Sequence, residues 1–208
     1  TREVLSQHLP SLHLHDKVYQ ALQLMNDNQI THLPVLDGEK FAGLLSEDDL
    51  LQAENDHAPL SSLEQSFSSF AVREEDHFLK AVQLAADNGL SLVPVINEEN
   101  ELTGTVTYTE LLRHAAAFMS LNEPGGLIVL ELPSNQYSFN EISKLVETND
   151  AQITQLNTHN DAETGMMQVT IRINKTEISD ILATFQRYEY NVKYFFGKMT
   201  MYPSYHRQ

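Results

Sequence analysis

The sequence predicts a mixed α/β (α+β) chain in two parts: a βαββα unit present twice, then one βαββαβ unit. Three observations predict it. Asp16–Asp37 lies over Asp76–Asn97 at an offset of 60, with eight of 22 aligned pairs identical. The breaker cluster Asn122-Glu-Pro-Gly-Gly126 ends that pattern. Beyond it, alternating and helical apolar periods follow in a new order.

Each repeat opens on a short apolar strand, Leu12–Leu14 or Phe70–Val72. Asp16 or Asp76 then stands where a helix N-cap is expected, since its carboxylate accepts from free backbone N–H groups. Val18, Ala21, Leu22 and Met25 form the apolar stripe of the first helix; Phe78, Ala81, Val82 and Ala85 form that of the second. Asn28 and Gly89 mark the helix ends. Leu33-Pro-Val-Leu36 and Val93-Pro-Val-Ile96 read as strands whose prolines suit a strand start or an edge. Acidic turns, among them Glu98-Glu-Asn-Glu101, lead to strands Phe41–Leu45 and Leu102–Val106. Last helices start at Ser46 and Thr107, the second extended by Arg113–Met119.

After the boundary, Leu127–Leu132 reads as a strand, and Ser138-Phe-Asn-Glu141 as a capping box before a helix with Phe139, Ile142, Leu145 and Val146 on its buried face. Ala151–Thr158 and Met166–Ile173 are strands joined by a turn, Glu177–Tyr188 is a helix burying Ile178, Ile181, Leu182 and Phe185, and Asn191–Phe196 is a last strand. The expected domains are residues 1–121 (repeats about 1–57 and 58–121), residues 126–197, and a tail at 198–208.

Charge narrows the partners. The net charge is −16, of which residues 1–113 hold 6 Lys+Arg against 19 Asp+Glu and residues 114–208 hold 7 against 10. Nucleic acid needs a basic face to displace its counterions, and anionic lipid repels an acidic surface, so neither is an expected partner. No cysteine is present, which removes disulfides, thiolate metal sites and Cys nucleophiles and fits a cytoplasmic location. No basic-then-apolar leader opens the chain. His13 and His15 share a strand face at a spacing that suits a transition metal, but no third ligand is assigned, and no metal is expected.

Helix Met25-Asn-Asp-Asn28, then His32-Leu-Pro-Val-Leu-Asp37, then Gly43-Leu-Leu-Ser-Glu-Asp-Asp49, with the second copy of the same order, resembles the CBS-domain family over residues 1–115. The element order of residues 126–197 is similar to a ferredoxin-like ACT domain, and the combination resembles acetoin-utilisation-type CBS–ACT proteins. The CBS resemblance implies two repeats about a pseudo-twofold axis, with clefts that take adenosyl compounds through Gly-x-x-Thr/Ser-x-x-Asp. Its acid accepts from ribose hydroxyls, and its hydroxyl and helix start receive phosphate. It places Gly43, Ser46 and Asp49, with His32 and Pro34, in a first site, and Thr107, Glu110 and Pro94 in a second, where Glu110 stands in place of the family's Asp. It also implies a homodimer and a protein target. The ACT resemblance points to the loop around Ser134 and Asn135 for an amino acid, although the family's glycine is missing there.

Each of these motifs has a plainer reading. Ser46-x-x-Asp49 and Thr107-x-x-Glu110 both fit a helix capping box, which explains their spacing without a ligand. Few cations flank them, Arg73 and Lys80 being the nearest in the second copy, so AMP, an adenosine-like molecule or S-adenosylmethionine is expected over ATP. The expected function is a non-enzymatic sensor needing no cofactor, with AMP or S-adenosylmethionine as regulatory ligand. The alternative is an interaction and dimerisation module that binds no small molecule.

Overall fold

The computed structural model describes residue 1 and residues 9–199. The segment 200–208, most of the expected tail, lies outside the described residues. The chain divides into two compact units, residues 1–115 and 116–208.

In the first unit, each repeat folds into a three-stranded sheet. β1 (Leu12–His13), α1 (Val18–Asn28), β2 (His32–Asp37), β3 (Lys40–Ser46) and α2 (Glu47–Leu51) make the first repeat; β4 (Val72–Arg73), α3 (Phe78–Asn88), β5 (Leu92–Ile96), β6 (Leu102–Thr107) and α4 (Tyr108–Phe118) make the second. The sheet orders are β1-β2-β3 and β4-β5-β6, each with a parallel first pair and an antiparallel second pair. One core runs through both repeats, from Leu12, Val18 and Met25 to Ala81, Val93 and Val106. Backbone bonds join the copies: Phe41 N–H donates to Asn100 O (2.8 Å), and the Asn100 side chain donates back to Phe41 O (3.0 Å).

Asp16 and Asp76 do not cap α1 and α3. Their carboxylates accept from the earlier N–H groups of His13 (2.7 Å) and Arg73 (2.9 Å), closing the turn after each first strand, and Lys17 and His77 take the N-cap positions. The prolines are not at strand starts: Pro34 and Pro94 are buried inside β2 and β5, the middle strands. The reason is local. β1 pairs with β2 only from Val35 onward, and β4 with β5 only from Val95, so each proline has a strand neighbour on one side and its missing N–H breaks no bond to the first strand.

The second unit runs β7 (Gly126–Pro133), α5 (Phe139–Glu147), β8 (Ile153–Asn160), β9 (Met166–Ile173), α6 (Ser179–Arg187), β10 (Asn191–Phe196). The antiparallel sheet has the order β10-β7-β9-β8, the ferredoxin-like split βαβ arrangement. Its core joins Ile128, Leu130, Val169 and Ile171 of the central strands to Ile142, Ile181 and Phe185 of the helices. Phe139 departs from its expected place in that core and is 52% exposed. It is the first residue of α5, before the turn that reaches the sheet. Lys198, placed in the expected tail, is held by its N–H donating to Thr176 O (2.7 Å).

Candidate functional site

Ser46 ends β3 and caps α2, opposite His32 at the start of β2. Asp49 N–H donates to Ser46 Oγ (3.2 Å), while Asp49 Oδ2 accepts from Ser46 N–H (3.3 Å) and from the Ser46 hydroxyl. The capping box is therefore formed. The second copy repeats it. Glu110 N–H donates to Thr107 Oγ (3.2 Å), and Glu110 Oε2 accepts from Thr107 N–H (2.9 Å) and Oγ–H (2.8 Å). The longer acid at 110 is accommodated by folding back on its own helix start.

His32 joins the two repeats beside the first site. Its Nδ1 accepts from Ser91 N–H (3.3 Å) and lies 3.1 Å from Thr31 Oγ and 3.2 Å from Ser91 Oγ. Ser91 Oγ in turn accepts from Thr31 N–H (3.0 Å). Burial holds the imidazole below the usual histidine value, and the charges of Asp49 and Asp48 pull it partly back. Ser91 was not legible as a site residue from its own surroundings. It aligns with Thr31 at the 60-residue offset, and that symmetry is the signal that marks it.

Gly43 is closely packed and Pro34 is buried. A Cβ at Gly43 would stand 2.6 Å from Phe67 Cβ and 3.1 Å from Ser68 O. The linker crosses there because Leu44 and Ser68 exchange backbone bonds of 2.8 and 2.9 Å. Pro34 lies opposite Leu44, and Pro94 opposite Thr105.

The first unit opens a cleft of about 750 Å³. The ends of α1 and α3 (Asn28, Gln29 and Gly89), Ser91, and the start of α4 at Thr107–Thr109 line it. Of the expected site residues only Thr107 lines this cleft. Among the described residues no group of three or more His, Cys, Asp or Glu is placed to hold a metal ion. His15 falls outside β1, in the turn that follows it.

In the second unit, Ser134–Gln136 form a single 3-10 turn, with Ser134 Oγ 3.2 Å from Asn160 Oδ1. Ser134 and Asn135 are exposed and do not line the neighbouring pocket of about 360 Å³. That pocket is lined by Pro133 and Gln136, together with Glu131, Glu141 and Tyr190.

The family model of the CBS domain matches residues 2–56 and 68–117, about half of the chain. The chain belongs to the CBS-domain family. The CBS pair is similar to part of an uncharacterized protein of Methanocaldococcus jannaschii, at 28% identity over 118 residues, which are 55% of this chain and 28% of that protein. It is similar also to part of the inosine-5'-monophosphate dehydrogenase of Korarchaeum cryptofilum, at 30% identity over 115 residues, 55% of this chain and 24% of that protein. The chain spans about a quarter of the length of the curated relatives it matches. Among solved structures, a CBS domain pair/ACT domain protein from Thermotoga maritima is similar at 25% identity and a TM-score of 0.50, over 56% of this chain and 95% of that one.

Proposed function

We propose that the protein is a non-catalytic sensor whose first CBS site takes an adenosyl ligand, AMP or S-adenosylmethionine, and passes the binding on to a protein target. The observation that carries this reading is His32, a half-buried imidazole that bridges the repeats beside Asp49 and opposite Ser46. A ligand that bonds Ser46 and Asp49 there competes with their capping box and meets the junction between the copies. It shifts the arrangement of the repeats only as far as it binds one arrangement better than another.

In this reading residues 1–121 are the CBS pair and residues 126–197 an ACT-like domain, with a tail at 198–208. The location is cytoplasmic, in keeping with a chain that has no cysteine. No helix of the described residues is long and apolar enough to cross a membrane. The protein is a homodimer, for which β10 is the natural seam. It is an edge strand, and Tyr194, Phe195 and Phe196 on it are exposed.

The second reading is an interaction module without a small ligand. It is favoured by the two formed capping boxes and by the steric role of Gly43, which together account for the motif. Thermal unfolding with AMP and with S-adenosylmethionine separates the two, using the wild type and Asp49→Asn, which keeps the cap but loses the charge. Stabilisation present in the wild type and lost in the variant supports the sensor. No stabilisation in either supports the interaction module.

A further inference from the structure

We propose that the pocket at the turn between α6 and β10 binds an aliphatic diamine, a dication with no carboxylate. The proposal concerns the second unit alone and stands whether or not the first CBS site takes a ligand.

The pocket holds about 360 Å³, within the range of small-molecule sites. A run of carboxylates by itself is most simply a solvated surface. Here the carboxylates stand around an apolar floor. Leu132 is 4% exposed, and Pro133 and Met166, both partly buried, join it in the lining. A short methylene chain buries itself against such a floor, and a bare metal ion gains nothing from it.

The charges call for a dication. Glu131, Glu141 and Glu189 line the pocket, and no Lys or Arg does. Glu131 is already answered, since Lys193 Nζ donates to its carboxylate across 2.6 Å. Among the described residues no ion pair engages Glu141 or Glu189. The last carbonyls of α6, which ends at Arg187 just before Tyr188 enters the lining, add the negative end of a helix dipole.

The two tyrosines suit an ammonium. Tyr190 donates its hydroxyl to Glu141, and burial first and Glu141 second push its pKa up to about 12. The phenol therefore stays neutral, and its oxygen keeps lone pairs for a cationic donor. The ring of Tyr188 already attracts a cation, the Arg187 guanidinium lying 5.6 Å from its centroid. The turn that carries these groups is preformed. Glu189 N–H donates to Gln186 O (3.0 Å), and Tyr190 N–H donates to Phe185 O (2.9 Å).

An amino acid carries the wrong charges for this pocket. Its carboxylate would seek the start of α5. Glu141 occupies the first turn there, and its N–H already donates to Ser138 Oγ (3.3 Å).

Titration calorimetry on the full chain at fixed ionic strength tests this. The probes are putrescine, ornithine (the same diamine bearing a carboxylate) and magnesium chloride. Wild type, Glu141→Gln, Glu189→Gln and Asp49→Asn are compared; Glu141 and Glu189 are exposed, so their amides leave the core intact. Putrescine is expected to bind, with ornithine about tenfold weaker or worse. Either Glu variant weakens putrescine about tenfold, and Asp49→Asn leaves it unchanged. Putrescine binding that ignores both Glu variants, ornithine bound as tightly, magnesium displacing putrescine at equal concentration, or no putrescine binding overturns the proposal. Loss of AMP binding in Asp49→Asn bears on the first CBS site and leaves this one standing, so the two readings fail separately.

Discussion

The backbone N–H of Ser91 donates to Nδ1 of His32 across 3.3 Å, tying the second repeat to the first through a neutral imidazole. Protonation at Nδ1 puts a second proton where Ser91 already supplies one. Burial, the larger cause, also disfavours the charge.

The sign of the pH effect follows. The folded pKa lies below the unfolded value of about 6.5, so the unfolded chain takes up the proton first as pH falls. The contribution of His32 is complete above that value and is lost as pH falls through the folded pKa. Urea unfolding at about pH 7.5 and about pH 5.5 is expected to show a larger acid loss in wild type than in His32→Gln. Equal losses would sink the assignment.

Gln29 holds φ +55°, while Gly89 at the matching position holds φ +63°. A side chain in the left-handed region is strained, and glycine is not. Gln29→Gly is expected to raise stability by about 0.5–1 kcal/mol, read as a higher denaturant midpoint at constant slope. Gly89→Gln is expected to lower stability by a similar amount.

Tyr190 packs edge-on to Phe185 and is pushed up to about 12 by burial first and by Glu141 second. Its folded pKa is raised, so the unfolded chain loses the phenolic proton first as pH rises. Stability therefore falls from about pH 10 until about pH 12. Tyr190→Phe is expected to lose the bond to Glu141 at neutral pH but to show a shallower alkaline decline. Thermal unfolding across that window is the measurement, and identical slopes in the two proteins would refute it.

Phe196 is 67% exposed on β10, and its ring lies 6.0 Å from that of Tyr194. If β10 is the dimer seam, Phe196→Lys places like charges at the seam in both copies. Light scattering is expected to show a dimer in wild type and a monomer in the variant, with the unfolding of the second unit otherwise unchanged. A variant that stays dimeric removes β10 from the interface.

The fold was legible wherever a period was strong. The 60-residue repeat carried both copies, and the stripes Val18–Met25 and Ile178–Phe185 gave their helices, because an amphipathic face has one way to be buried. The caps misled because Asp16 and Asp76 have N–H groups within reach on both sides, and the strand turn before them, not the helix after, holds their carboxylates. Phe139 misled because periodicity counts residues along a helix and does not show where the helix meets its sheet.

By itself the sequence determined the repeated unit, the order of elements and the acidic balance, all of which are properties of short windows or of totals. It also determined that Ser46 with Asp49, and Thr107 with Glu110, stand at capping distance, since three residues on a helix start is a local relation. Only the tertiary structure decided that Ser91 meets His32, that Gly43 is pressed by Phe67, and that the ends of α1 and α3 frame a cleft with Tyr108. The first two pairs lie 59 and 24 positions apart and the end of α1 lies 60 positions from that of α3 and 80 from Tyr108, and chain separation carries no record of which buried faces come together.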